Sequence, residues 1–222
     1  MSDARIYIFT GHFGSGKTEV AVNFAMNLAK QGKKTAIVDL DIVNPYFRTK
    51  DAEKPLTQQG VRVIAPEYAN TNVDMPTLPS DILSVFADKD LSVVFDVGGD
   101  DDGATALGPY FSYFSKEDYK MYLVINTNRP LTQTSGDIID YMHDIEAASR
   151  LKIHALVNNT NLSYSTEAVN LTQGQAVLDE VSRQTGIQTE LVSVQKSLID
   201  KLDPALKDKA FGLDLYLQIP WL

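Results

Sequence analysis

The residues best equipped for chemistry sit together near the start of the chain: Gly11-His12-Phe13-Gly14-Ser15-Gly16-Lys17-Thr18. The run fits G-x-x-x-x-G-K-[ST], a loop built to hold phosphate. Gly11, Gly14 and Gly16 let the backbone turn where a β-carbon would clash, so successive N–H groups converge on phosphate oxygens. Lys17 supplies the charge that reaches β- and γ-phosphates, and the Thr18 hydroxyl suits Mg²⁺. Glu19 follows and completes the stretch expected to bind nucleotide.

A second acid of interest is Asp96, which closes the apolar run Leu91 to Phe95 and is followed by Val97-Gly98-Gly99. This has the Walker B form, in which the carboxylate holds Mg²⁺ through a water. Gly99 would then offer its N–H to a γ-phosphate. Asp39 and Asp41 form a third feature at the end of Thr35 to Leu40. They are expected to point to different sides unless the chain bends at Leu40, one supporting the Mg²⁺ shell and the other orienting water. A helix cap and a solvated loop acid explain the same spacing equally well. The expected metal set is Thr18, Asp39 and Asp96.

Such groups need rigid elements behind them. Residues 5–10 are β-branched and aromatic and predict a buried strand, and residues 17–30 carry Val20, Ala21, Phe24, Ala25 and Leu28 at helical spacing. Gly32 then stops the helix. Further strands are expected at 35–40, 61–64, 91–95, 119–126, 152–157 and 189–194, and helices at about 81–87, 132–148 and 165–184. Residues 65–80 form a long connection, and Leu213-x-Leu215-x-Leu217 suits a strand or an interface segment. Alternating strands and helices with near-continuous apolar strands predict an α/β fold. The sheet is mostly parallel with about seven strands, in a three-layer αβα sandwich. Residues 1–222 read as one domain.

Composition removes several functions. The net charge of −9 and the lack of a dense Lys/Arg run argue against nucleic-acid binding. The chain has no cysteine, which excludes disulfides, Cys-ligated zinc and iron–sulfur clusters. The first residues lack a signal peptide's layout, and no apolar stretch is long enough to span a membrane. A cytoplasmic protein is expected.

The loop, the helix after it, Val38-Asp39-Leu40-Asp41 and Asp96-x-Gly-Gly together resemble the MinD/ParA/nitrogenase-iron-protein group of P-loop ATPases, in element order to about residue 195. The resemblance implies that Asp41 positions the hydrolytic water, that switch I covers roughly 42–50, and that switch II covers about 98–108. It also implies that Asn158, or Asn159 beside it, reads adenine. Many members carry a lysine after the first glycine that reaches a partner's nucleotide across a dimer; here that residue is His12. Arg48 or Arg129 could substitute. Asn126-Thr127-Asn128-Arg129 lacks the Lys and Asp of a guanine-reading motif, so ATP is favoured.

The expected function is a Mg²⁺-dependent ATPase acting as a switch or chaperone-like partner protein. A homodimer and an unidentified protein partner are possible. The alternative is a metabolic enzyme of the same superfamily, a small-molecule kinase or a ligase of the dethiobiotin synthetase kind.

Overall fold

The computed structural model describes residues 4–41, 49–65, 80–99 and 101–217. Most of the expected switch I, Arg48, nearly all of the 65–80 connection and the final Ile219-Pro220-Trp221-Leu222 lie outside the described residues.

The elements follow one another as β1 (Ile6–Thr10), α1 (Lys17–Lys30), β2 (Thr35–Leu40), α2 (Glu53–Gln58), β3 (Arg62–Ile64), α3 (Ser80–Ala87), β4 (Ser92–Val97) and α4 (Asp101–Thr105). Then come α5 (Phe111–Phe114), β5 (Tyr119–Ile125), α6 (Ser135–Ser149), β6 (Ala155–Asn158), α7 (Ala168–Thr185), β7 (Thr189–Gln195), α8 (Pro204–Lys207) and β8 (Ala210–Leu213). One sheet runs β3-β2-β4-β1-β5-β6-β7-β8, and every neighbouring pair is parallel. Among the described residues the strands number eight, where the sequence suggested about seven. The extra one is Ala210–Leu213, short enough to be hidden beside the longer leucine alternation that continues into an irregular tail.

The strands are apolar on both faces because both faces are covered. Ile6 and Ile8 enter one core with residues of α3, α6 and α7, while Tyr7 and Phe9 enter the other with α1. Three layers result. Phe24 of α1 is 1% exposed and packs on the rings of Tyr7, Phe9, Tyr122 and Phe211. Truncating such a ring to alanine costs about 3–5 kcal/mol, so α1 is firmly seated behind its N-terminal loop. Gly32, at φ 81°, ends this helix in the left-handed region that glycine tolerates.

The functional consequence lies in the order of the strands. The chain leaves β1 towards β2 and β3, returns to lay β4 beside β1, then crosses to β5 on the other side. The connections diverge at β1, which opens a crevice at the carboxyl ends of β4, β1 and β5, where open α/β sheets place ligands. Among the described residues no helix is long and apolar enough to cross a membrane.

Candidate functional site

β1 delivers the glycine-rich loop into that crevice. Each glycine has its own reason. A β-carbon at Gly11 would sit 2.3 Å from the Val124 carbonyl oxygen. Gly14 and Gly16 stand at φ 78° and 83°, and a β-carbon on Gly16 would lie 2.3 Å from Asn159 Nδ2. The Ser15 N–H donates to the His12 carbonyl at 2.9 Å, closing the loop. Gly16 precedes α1 without any side-chain cap, so the first-turn N–H groups remain for an anion. The Ser15 hydroxyl, buried at 2% exposure, has no hydrogen-bond partner among the described residues.

Lys17 Nζ pairs with Asp41 Oδ2 at 2.8 Å. Burial alone would lower the pKa of this ammonium, but Asp96, Asp41 and Asp39 together hold it above its ordinary value. Asp39 and Asp96 are register partners on β2 and β4. Asp39 Oδ1 accepts the N–H of Asp41 at 3.0 Å. The expectation that Asp39 and Asp41 point to different sides is thus corrected. Positions i and i+2 of an extended chain share a side, and both carboxylates act on Lys17.

Asp96 is fully buried, and complete burial pushes its carboxyl up to about 6 against the opposing pull of Lys17. Its Oδ2 accepts from Thr49 Oγ1 at 3.1 Å, and Thr18 also hydrogen-bonds to this carboxylate. Its Oδ1, by contrast, has no hydrogen-bond partner among the described residues. A buried carboxylate oxygen without a donor, beside a threonine hydroxyl, is what a hydrated Mg²⁺ would satisfy. Among the described residues no group of three or more His, Cys, Asp or Glu could hold a metal ion. A cation here would therefore draw ligands from phosphate and water, the usual arrangement for Mg²⁺.

Behind Asp96 the chain reaches Gly98 and Gly99. A β-carbon on Gly99 would fall 1.8 Å from the Gly11 carbonyl oxygen, so this segment lies directly on the phosphate loop. The Gly99 carbonyl accepts from the hydroxyl of Tyr141 on α6. The Tyr141 ring meets the His12 ring edge-on at 5.7 Å between centroids. His12 thus lies against α6, and its Nδ1 is 3.2 Å from the Phe13 carbonyl.

From the loop a cavity of about 490 Å³ extends across the ends of β6 and β7. Phe13, Gly14, Gly16, Lys17 and Thr18 line it, together with Ser193, Val194 and Gln195 of β7 and Leu213, Leu215 and Leu217. Arg129 lines it as well and donates from Nε to the Gly14 carbonyl at 3.2 Å. Asn159 lines it too and bridges the loop to β7. It donates to the Ser15 carbonyl at 2.6 Å and accepts from Ser193 Oγ at 2.8 Å.

Two residues expected to contact nucleotide are used differently. Asn158 is fully buried and turned away, donating to the Leu171 carbonyl at 2.9 Å and to Gln175 Oε1 at 3.2 Å. It ties β6 to α7. Glu19 borders the cavity, but its carboxylate accepts the N–H groups of Tyr216 at 2.8 Å and Leu217 at 3.1 Å. Sequence reasoning missed Thr49, Tyr141 and the β7 residues. The leucine alternation at 213–217 was visible without its role as a cavity wall.

Residues 6–196 match the model of the CobQ/CobB/MinD/ParA nucleotide binding domain. Among solved structures, FtsY from Mycoplasma mycoides superposes with a TM-score of 0.59 at 16% identity, covering 86% of this chain and 61% of that one. The cell division protein FtsY from Thermotoga maritima gives 0.60 at 15% identity, covering 86% and 62%. A nucleotide-binding protein from Archaeoglobus fulgidus in complex with ADP gives 0.52 at 14% identity, covering 88% and 85%. The chain spans about three fifths of the length of the FtsY chains, and at these identities the likeness is one of fold. Among curated proteins none matches the chain in sequence.

Proposed function

Because the chain belongs to the CobQ/CobB/MinD/ParA nucleotide-binding family, we propose that it is a Mg²⁺-dependent ATPase whose hydrolysis resets a protein-binding switch, with residues 1–222 acting as one P-loop NTPase domain. The observation that carries this reading is the convergence of Lys17, Thr18, Asp41 and Asp96, with Lys17 and Thr18 lining the cavity. The loop amides and Lys17 take the β- and γ-phosphates. Thr18 and Asp96 would hold Mg²⁺, with Asp39 behind them. The ion would neutralise charge developing on the phosphate oxygens.

Asp41 has two roles in this scheme. Without nucleotide it neutralises Lys17. When phosphate takes Lys17, the freed carboxylate orients a water in line with the γ-phosphorus. The water oxygen bonds to that phosphorus as the bond to the bridging oxygen breaks, giving ADP and inorganic phosphate. Catalysis is positioning and charge stabilisation. Gly99, stacked on Gly11, would sense the γ-phosphate and move when it leaves.

Adenine suits the cavity better than guanine. Guanine's ring N–H and amino group call for an acceptor such as a carboxylate, and Glu19, the carboxylate among the described lining residues, already accepts two backbone amides. Asn159 is held to Ser15 and Ser193 and would frame the base or ribose.

The test is calorimetric titration of the purified protein with Mg·ATP and Mg·GTP, joined to phosphate-release and sizing measurements, with Lys17→Ala as control. Expected are a preference for ATP, slow transfer of phosphate to water, and a change of assembly state or partner binding between ATP and ADP. A preference for GTP would overturn the nucleotide assignment. Phosphate transferred to a metabolite would instead favour the small-molecule kinase or ligase.

A further inference from the structure

The segment after β8 is fastened to the phosphate-loop helix. Asn23, one turn beyond Glu19 on α1, donates to the Asp214 carbonyl at 2.9 Å and accepts the Asp214 N–H at 2.8 Å. Glu19 accepts the next available amides, those of Tyr216 and Leu217. Asn23 also donates to Glu19 Oε1 at 3.3 Å and to the Glu19 carbonyl at 2.8 Å, so the two side chains act as one fixture. Asn23 is 6% exposed, although it lies on a helix whose other buried positions are mostly apolar. A buried amide and a carboxylate side by side on an otherwise apolar face require partners, and the backbone of residues 214–217 provides them.

The position of this strap gives the fixture a purpose. Leu215 and Leu217 line the same cavity as the phosphate loop, and Leu215 remains 51% exposed. Val194 and Gln195 of β7 line it as well. A slot with apolar walls and a few polar groups fits a planar heterocycle. A triphosphate seated on Gly14 to Thr18 would leave its base to this remaining part of the cavity.

We propose that Glu19 and Asn23 are positioning residues that hold the strap Asp214–Leu217 in place as the outer wall of the nucleobase slot. The proposal rests on the nucleotide-binding reading above and adds the device that shapes the base end. Glu19 follows Thr18 directly on α1, so the element that holds the phosphates also holds the wall that covers the base. Nucleotide binding and strap closure are then linked, and each favours the other.

The experiment measures affinities for Mg·ATP, Mg·ADP and Mg·tripolyphosphate in the full chain and in Glu19→Gln and Asn23→Ala. Glutamine retains the shape of Glu19, but its NH₂ group opposes one of the two strap amides. Each substitution is expected to weaken ATP and ADP alike, by about 10-fold, and to leave tripolyphosphate unchanged. Hydrogen exchange should show the amides of Asp214, Tyr216 and Leu217 opening in the variants and gaining protection when the unaltered protein binds ADP. Equal losses for nucleotide and tripolyphosphate would overturn the proposal, because the two residues would then serve only the helix. Unchanged nucleotide affinity with an opened strap would overturn it too. An unaltered protein that binds tripolyphosphate as tightly as ATP would instead refute the nucleotide reading itself.

Discussion

Lys17 Nζ lies 2.8 Å from Asp41 Oδ2, and the two side chains are only 6% and 7% exposed. The cation proposed to bind phosphate is thus neutralised by the acid proposed to orient water. Removing one partner of a buried pair costs about 3–5 kcal/mol when the other is left uncompensated. Here Asp96 and Asp39 also act on Lys17, so Asp41→Asn should cost less than that range. The variant should bind Mg·ATP more tightly, because Lys17 no longer has to leave a carboxylate. Its hydrolysis should fall by about 100-fold or more. Calorimetry and single-turnover phosphate release separate the two effects. Unaltered turnover in Asp41→Asn would remove Asp41 from the chemistry.

Gly99 tests the contact between the phosphate loop and the segment after β4. Alanine there places Cβ 1.8 Å from the Gly11 carbonyl oxygen. The oxygen belongs to the backbone and Cβ is fixed rigidly to it, so neither can swing away and the two loops must separate. The expected result is a folded protein with lowered melting temperature whose hydrolysis falls more than its ADP affinity. Gly108→Ala is the control, because nothing lies within 4 Å of the added carbon. It should stay within about 0.5 kcal/mol of the unaltered protein. Equal behaviour of the two variants would mean that Gly99 does not rest on the loop in solution.

The phosphate loop was legible because its chemistry and its backbone demands fall on consecutive residues. Asp96 was legible because a fully apolar run makes a terminal acid conspicuous. The asparagine pair was harder, for a specific reason. The sequence places the end of the sixth strand at Val157, whereas β6 runs to Asn158. Consecutive residues take opposite sides of a strand, so Asn158, the last residue of β6, turns towards α7 and Asn159 meets the cavity. Glu19 was unreadable for another reason. Its partners lie 197 and 198 positions away, in an irregular tail with no pattern to announce the contact. Long-range hydrogen bonds from side chain to backbone leave no local periodicity.

Those different surroundings separate the two asparagines experimentally. Asn158→Ala removes donors to the Leu171 carbonyl and Gln175 and the acceptor of the Thr160 N–H, all in the interior. Each buried group left unpaired costs about 1–3 kcal/mol, so this variant should lose several kcal/mol of stability. Where it still folds, its nucleotide affinity should be unchanged. Asn159→Ala should lose less stability but bind ATP about 10-fold more weakly, because Asn159 fixes the Ser15 carbonyl to Ser193 beside the cavity. Chemical denaturation and nucleotide titration of both variants provide the comparison. The reverse pattern would return Asn158 to the site.

His154 gives the protein a pH-dependent stability that is separate from nucleotide chemistry. Its Nδ1 accepts the Met121 N–H at 3.2 Å, so the ring is neutral in the fold, and the Tyr119 ring meets it edge-on at 4.9 Å. Burial, and then the charge of Lys120, hold its pKa below the ordinary 6.5. The unfolded chain takes up a proton near 6.5 while the folded chain resists it, so below that pH the unfolded state binds more protons. Stability must therefore rise with pH in this window. The contribution is complete above 6.5 and is lost as pH falls towards the depressed folded value. A single group can change stability by at most about 1.4 kcal/mol per pH unit. Urea denaturation at about pH 7.5 and about pH 5.5 should show a smaller loss on acidification in His154→Gln than in the unaltered protein. Parallel losses would show that His154 titrates as freely in the fold as in the unfolded chain.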